Sequence, residues 1–513
     1  MTLTLDPVAL TVLQAALSGI ADEMGVVLVS SAYSANIKER RDCSAAVFDR
    51  DGRMVAQAAH IPVHLGAMPE AVEIVLGLDP RPGDVFITND PYAGSSHLPD
   101  ITLVSSIDVD GEIVGFAATR AHHSEVGGMR TGSMPSDSRE IFQEGLIIPP
   151  TRLVTAGEII APIWKLILAN VRTPEVLAAD LRAQIAANQV AQNGFRELFA
   201  RYGQGLVESG FDAVLDHGEA CARAAVAAIE DGVYAAETEL EGDGVTEDDV
   251  PIRVAVHVQG DQLLVDFTGT SGAVTGNVNC PLAVTRAACL FALRLLLDKD
   301  APMNGGVDRV LTLVAQPGSL VHAQSPSAVV AGNVETSQRI ADAVMLALSA
   351  AVPMPALGQG TMNNVIIGGT DWSYYETIAG GQGASRFGPG DSAIHVGMTN
   401  TLNTPIEALE QEFPMRVERY EIRRGTGGAG RFPGGDGIVR STRVLVAAEA
   451  SLLTDRRRHA PRGAAGGRDG AVGRNTLNDV VVGTKASLSL APGDVLTVYT
   501  PGGGGYGPAD AAA

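Results

Sequence analysis

Cysteine is scarce and unpatterned. Cys43, Cys221, Cys280 and Cys289 are the four in 513 residues, and no two stand at CxxC spacing. That argues against a disulfide framework and for a reducing cytoplasm, with the thiols as small buried apolar groups. Positive charge is also short: 37 Lys and Arg against 59 Asp and Glu leave a net charge of −22. So acidic a surface repels phosphate backbones and anionic lipid, so neither nucleic acid nor a membrane is an expected partner. No apolar run is expected to reach membrane-spanning length, and the N-terminus lacks a basic-then-apolar leader pattern; the chain reads as soluble and cytoplasmic. Neither GxxxxGK[ST] nor a GxGxxG between strand and helix occurs, so no ATP-binding fold is expected within this chain. A GxSxG elbow and any repeat of about 20 to 50 residues are missing as well.

What is present is enough apolar residue, 45% of the chain, to fill two or three cores. The densest chemistry lies in residues 83–150. Apolar runs at 85–87, 101–107 and 113–118 read as buried strands, the last two joined by the turn signal Asp110-Gly111. His97 and Asp100 stand just before the second run, in a loop of Gly, Ser and Pro. His122 and His123 stand just after the third. If the hairpin forms, both ends come out on one rim and imidazoles distant in sequence meet. Imidazole and carboxylate together suit divalent zinc, manganese or iron, and three protein ligands with an open position are the pattern of a catalytic metal site. Adjacent residues leaving a strand point to opposite faces, so one of His122 and His123 is expected to ligate while the other orients substrate or a supporting group. The bland alternative is a set of hydrogen-bonded loop histidines.

Taken in order, Asp6-Pro7 is a helix start, followed by Leu10, Leu13, Leu17, Ile20, Met24 and Leu28 at helical spacing. A hairpin is expected over 45–56 around Asp49 to Gly52. Before it, Glu39, Arg40, Arg41 and Asp42 read as a solvated charged face, the alternative being that Asp42 turns inward as a carboxylate ligand. His60 and His64 either line the same cavity or cap the next helix. Helices are expected over 174–199, 211–229, 287–297 and 334–348, and an antiparallel meander over 232–269. Glycine dominates the last third. Its loops read as tight turns needing positive φ, or as amide nests for phosphate with Arg423, Arg424 and Arg431 as charge partners. The expected fold is mixed α/β (α+β): an N-terminal strand-and-helix lobe with the metal site and a helical segment over 1–230, a β-meander with helices over 231–350, and a glycine-rich, β-rich lobe over 351–513.

Long motifs in a fixed order carry a resemblance. SANIKERRDCSAAVFD, HIPVHLGAMPEAV, GDVFITNDPYAGSSHLPDI, RAHHSEVGG, GMTNTLNTPIEALE and TPGGGGYG together resemble the hydantoinase B family, which includes the C-terminal half of 5-oxoprolinase and relatives among caprolactamase and the acetone and acetophenone carboxylases. The resemblance runs from about residue 6 to 508. It implies a heteromeric, ATP-dependent enzyme in which a hydantoinase A type ATPase subunit phosphorylates a small cyclic amide and this chain opens the ring, within a hetero-oligomer with a homodimeric core. It implies metal ligation by His97, Asp100 and His122, with Asp42 a further ligand and His123 adjacent. For such chemistry His123 or Glu125 is the expected proton shuttle, and Arg120 or the late glycine loops the expected phosphate holder. The alternative activity on the same scaffold is ATP-dependent ketone carboxylation. One departure from the family pattern is His395-Val396-Gly397-Met398, where many relatives carry a second histidine before the Met.

Overall fold

The computed structural model describes residues 6–509 apart from 60, 65 and 67, so the expectation for His60 lies outside the described residues. The fold is mixed α/β, with four sheets of seven, four, four and five strands. Helix α1 (Pro7–Ser31) starts as expected, the Asp6 side chain accepting from Val8 N at 2.8 Å. It is long and apolar enough by length and composition to cross a membrane, which corrects the expectation that no stretch reaches that length. Leu13, Leu17, Ile20 and Met24 pack into a core shared with Val47, Ala117, Phe195 and Phe211. A short helix α2 (Ala35–Lys38) then turns the chain into the main sheet.

That sheet holds β1 (Cys43–Asp49), β2 (Met54–Ala59), β3 (Val85–Thr88), β4 (Asp100–Val109), β5 (Glu112–His122), β6 (Thr151–Thr155) and β7 (Glu158–Ile159), in the order β2-β1-β5-β4-β3-β6-β7. Every neighbouring pair is antiparallel. The β4–β5 turn forms because Asp110 (φ 52°) and Gly111 (φ 82°) both adopt the left-handed conformation that a two-residue hairpin turn requires. The register follows from that turn: Val109 pairs with Glu112 at one end and Asp100 with His122 at the other. Alternation along β5 sorts its side chains. Phe116 and Ala118 pack with Met68 and Val72 of α3 (Met68–Leu76) on one face. Ala117 meets Phe195 of the long helix Pro174–Tyr202 on the other.

The meander forms as Gly232–Glu241, Asp249–Gln259 and Gln262–Asp266, and Leu311–Val314 adds to it in parallel. The helix expected over 334–348 begins as a π-helical turn, Gly332–Thr336, before running on as Ser337–Leu348. A buried ionic network lies beyond this turn. Arg339 and Arg456 both donate to Asp342 Oδ2 at 2.6 Å, and Glu241 accepts from the backbone of Arg457, Arg458 and His459. The late glycine loops pack backbone on backbone. A Cβ on Gly434 would land on the Gly503 carbonyl, and one on Gly503 on the Gln382 carbonyl. Positive φ explains Gly425, Gly466 and Gly507; close approach explains the rest of that platform. Arg423 donates to the carbonyls of Val472 and Thr500.

Candidate metal centre

The loop before β4 is fixed by Asn89, which donates to the carbonyls of Leu98 (2.8 Å) and Leu146 (2.9 Å) and accepts from Ile148 N (2.7 Å). That clamp delivers His97 and Asp100 to the rim where β5 ends. His97 Nε2 lies 3.2 Å from Asp100 Oδ1, His122 Nδ1 lies 3.3 Å from the same oxygen, and the two nitrogens are 3.3 Å apart. All three side chains are buried; His97, Asp100 and His122 are 0%, 1% and 3% exposed.

Those edges are those of a coordination polyhedron. Ligand atoms about 2.1 Å from one ion stand about 3.0 Å apart at right angles and about 3.4 Å apart at the tetrahedral angle. The observed contacts fall between. Asp100 Oδ1 makes no hydrogen bond among the described residues despite both contacts, and His122 Nε2 has none either. Three converging acceptor atoms cannot all be satisfied by one proton, whereas one cation satisfies all three. The donor set, two imidazole nitrogens and a carboxylate oxygen, is one that zinc, manganese or iron accepts. The triangle is therefore a group that could hold a metal ion.

Surrounding groups aim it. The Val330 carbonyl lies 3.3 Å from His97 Nδ1, and the N–H placed there leaves Nε2 free as a ligand. Val330 is itself held by Glu144, which accepts from Val329 N, Val330 N and Ser138 Oγ and which burial pushes up to about 7. Asp100 Oδ2 accepts from Ser96 Oγ at 2.5 Å and Asn333 Nδ2 at 3.4 Å, and His64 Nε2 stands 3.4 Å away. Burial alone would raise the Asp100 carboxyl, but the close imidazoles of His97, His122 and His64 outweigh it and hold it well below the carboxylate range. His122 is pushed down by burial against the pull of Asp100, so its ring is neutral and its lone pair available.

The other expected residues sit as follows. Asp42 is buried and its charge acts on both His97 and His122, while its own nearest cation is Arg40, at 3.8 Å; it lies outside the close triangle. The charged cluster at 39–42 is thus split: Arg41 is exposed and Glu39 half-buried, while Arg40 and Asp42 turn inward. Arg40 is fully buried, donating to Tyr375 O and Thr377 Oγ1 and packing over the Tyr375 ring at 4.6 Å. His123 faces the opposite way from His122, toward the helix Pro174–Tyr202, with Gln184 Oε1 at 3.0 Å and Asp180 Oδ2 at 3.9 Å. Glu125 accepts from Gly127 N and from both the backbone and side chain of Arg172. Arg120 is buried beside Thr102 and the Gly94 carbonyl, and burial pushes it down to about 10. His395, where the family pattern departs, lies between Thr399 and Thr401, and burial with the Arg40 charge pushes it down to about 3.

Sequence alone did not point to Tyr375, Asn333 or Glu144. Tyr375 stacks on His122 at 4.4 Å and 12°; it comes from a strand about 250 residues away in the chain and carries no motif. Asn333 carries no motif either, and its reach to Asp100 depends on the π-helical register. Glu144 lies within residues 83–150, but no neighbouring residue signals its hold on the distant Val329 and Val330.

The fold and the buried His-Asp-His centre on a hairpin rim define a class. The chain belongs to the hydantoinase B/oxoprolinase family, whose profile matches residues 6–509. An uncharacterized protein of Methanocaldococcus jannaschii is 39% identical, over 98% of this chain and 91% of that protein. 5-oxoprolinase 1 of Arabidopsis thaliana is 38% identical over 98% of this chain but only 42% of its own length, so the chain spans less than half of that relative. A putative D-/L-hydantoinase subunit from a Pseudomonas strain is 31% identical over 98% of this chain and 90% of its own length. Among solved structures, the ATP-dependent caprolactamase of Pseudomonas jessenii superposes with a TM-score of 0.90 at 28% identity, over 98% of this chain and 92% of that one. Acetone carboxylase shares the fold, with a TM-score of 0.88 at 17% identity over 98% and 76%.

Proposed function

We propose that this chain is the ring-opening subunit of an ATP-dependent cyclic amide hydrolase, working on a lactam or imide that a hydantoinase A type ATPase partner phosphorylates. The observation that carries it is the buried triangle of His97, Asp100 and His122 in a chain of the hydantoinase B/oxoprolinase family. These three residues, with Asp42 as a fourth, would hold a divalent metal. Such an ion supplies Lewis-acid activation of water at neutral pH. Ser96 and Asn333 orient the Asp100 carboxylate, Val330 fixes the His97 tautomer, and Tyr375 holds the His122 ring. Across the whole reaction the ring C–N bond breaks, one water supplies a carboxylate oxygen, the departing nitrogen gains a proton, and the phosphoryl group placed by the partner passes to a second water and leaves as inorganic phosphate. His64, its Nε2 directed at Asp100 from outside the triangle, is the imidazole best placed to pass that proton.

The test is to co-express the chain with its ATPase partner and assay a panel of cyclic amides with ATP for ring-opened product. His97→Ala and His122→Ala should abolish ring opening while partner ATPase activity stays measurable. Incorporation of labelled bicarbonate into product, with no ring opening, would replace this reading by a carboxylase.

A further inference from the structure

His97 and Asp100 are both steadied from one short stretch far along the chain. The Val330 carbonyl faces His97 Nδ1 at 3.3 Å, and Asn333 Nδ2 donates to Asp100 Oδ2 at 3.4 Å. Both contacts lie near the outer limit of a hydrogen bond, so a displacement of about 1 Å in that stretch would release both side chains. Whatever fixes residues 329–333 on the hairpin rim therefore sets the geometry of two of the three metal-binding groups.

Several anchors hold the approach to this stretch. Ile141 N donates to Pro326 O at 3.0 Å, Tyr92 donates its hydroxyl to Ser327 O at 2.5 Å, and Asn279 Nδ2 donates to Ala328 O at 3.0 Å. Asn277 O accepts from Ala331 N and Gly332 N beyond it. Between these, residues 329 and 330 are held by one side chain. Glu144 Oε1 accepts from Val329 N and Val330 N, each at 3.1 Å, and from Ser138 Oγ at 2.8 Å. Val329 O in turn accepts from Gly332 N (2.9 Å) and Asn333 N (3.4 Å), where the π-helical turn begins. Two routes thus leave Glu144, one through Val330 to His97 and one through Val329 and Asn333 to Asp100.

A carboxyl is a costly group to place here. Glu144 is 0% exposed, and the donors it accepts from are uncharged, so nothing among them repays the burial of an anion. What the position requires is one oxygen able to accept from three donors at once. Burial has already pushed the group up to about 7, and Oε1 remains an acceptor whether or not the other oxygen carries a proton.

We propose that Glu144 is a positioning residue for the metal centre, setting His97 and Asp100 together through Val330 and Asn333 from outside the triangle. The proposal rests on the triangle holding a metal and not on which reaction follows.

The experiment is a competitive zinc titration of the purified full chain, with thermal melting and the visible absorption of the cobalt(II)-loaded protein, in wild type, Glu144→Ala, Glu144→Gln and Tyr92→Phe. Glu144→Ala should bind zinc at least about tenfold more weakly and show an altered cobalt spectrum. Glu144→Gln, whose amide oxygen can take the place of Oε1, should keep the wild-type spectrum and an affinity within about threefold of wild type. Tyr92→Phe removes another anchor of the same stretch; it should melt lower yet bind zinc like wild type. Should Glu144→Ala fail to fold, Glu144→Asp, too short to reach both amides, replaces it with the same expectation. Wild-type affinity and spectrum in a folded Ala or Asp variant would overturn the positioning role and leave the metal centre standing. So would a loss in Glu144→Gln or Tyr92→Phe as large as in Glu144→Ala. A wild-type chain that binds neither zinc nor cobalt(II) would overturn the metal centre and the role with it.

Discussion

Tyr375 is the residue whose replacement separates packing from metal binding. Its ring is sandwiched between His122 (4.4 Å) and the Arg40 guanidinium (4.6 Å), and its hydroxyl donates to Asn364 Oδ1 at 2.8 Å. Tyr375→Phe keeps the sandwich and leaves Asn364 Oδ1 without this donor, a loss of about 1 to 2 kcal/mol. Tyr375→Leu removes the sandwich as well. The smaller side chain leaves a cavity worth about 2 to 3 kcal/mol, and the lost aromatic and cation–π contacts add about 1 kcal/mol. It also frees the His122 ring to rotate, and loss of a group that orients a ligand typically weakens metal affinity about 10- to 100-fold. Thermal unfolding with a competitive zinc titration reads both quantities. Both variants should lose stability, Tyr375→Leu more, while only Tyr375→Leu should lose metal affinity. A Tyr375→Leu protein that binds zinc as tightly as wild type would falsify the positioning role.

Other perturbations follow from buried charge and close packing. Burial, reinforced by the Asp455 charge, pushes Glu335 from its ordinary 4.5 up to about 8, so between those values the folded state holds a proton that the unfolded state has released. Stability should therefore fall as pH rises from about 4.5 to 8, by up to about 5 kcal/mol, and Glu335→Gln should flatten that slope in denaturant titrations run at pH 5 and 8. Arg172→Ala strands the fully buried Glu125 carboxylate; because Arg172 is itself one-third exposed, about 2 to 3 kcal/mol of destabilisation is expected in urea unfolding. Gly503→Ala drives a Cβ into the Gln382 carbonyl, so the variant should unfold well below wild type or fail to accumulate in soluble form, and near-wild-type melting would contradict the backbone-packing account.

Much of the site was legible because a single turn determines it. Asp110-Gly111 sets the β4–β5 register, and that register alone brings Asp100 opposite His122. Strand alternation likewise separates His122 from His123. Legibility ended where partners come from distant chain. Tyr375, Val330 and Asn333 reach the cluster across more than 200 residues, and no spacing rule links them to it. The charged run at 39–42 misled for a related reason: composition cannot show that Arg40 is buried against Tyr375. The glycine-rich loops announced unusual backbone, yet only the packed structure distinguishes a turn that needs positive φ from a platform with no room for a Cβ.

The most direct measurement is the metal content of purified wild type, His97→Ala and His122→Ala after incubation with zinc, manganese or iron(II) and removal of excess, alongside circular dichroism to establish folding. About one divalent ion per wild-type chain, and less than a tenth of that in each folded variant, is the predicted result. Wild-type occupancy in either variant, or a wild-type chain that retains none of the three metals, would contradict the account.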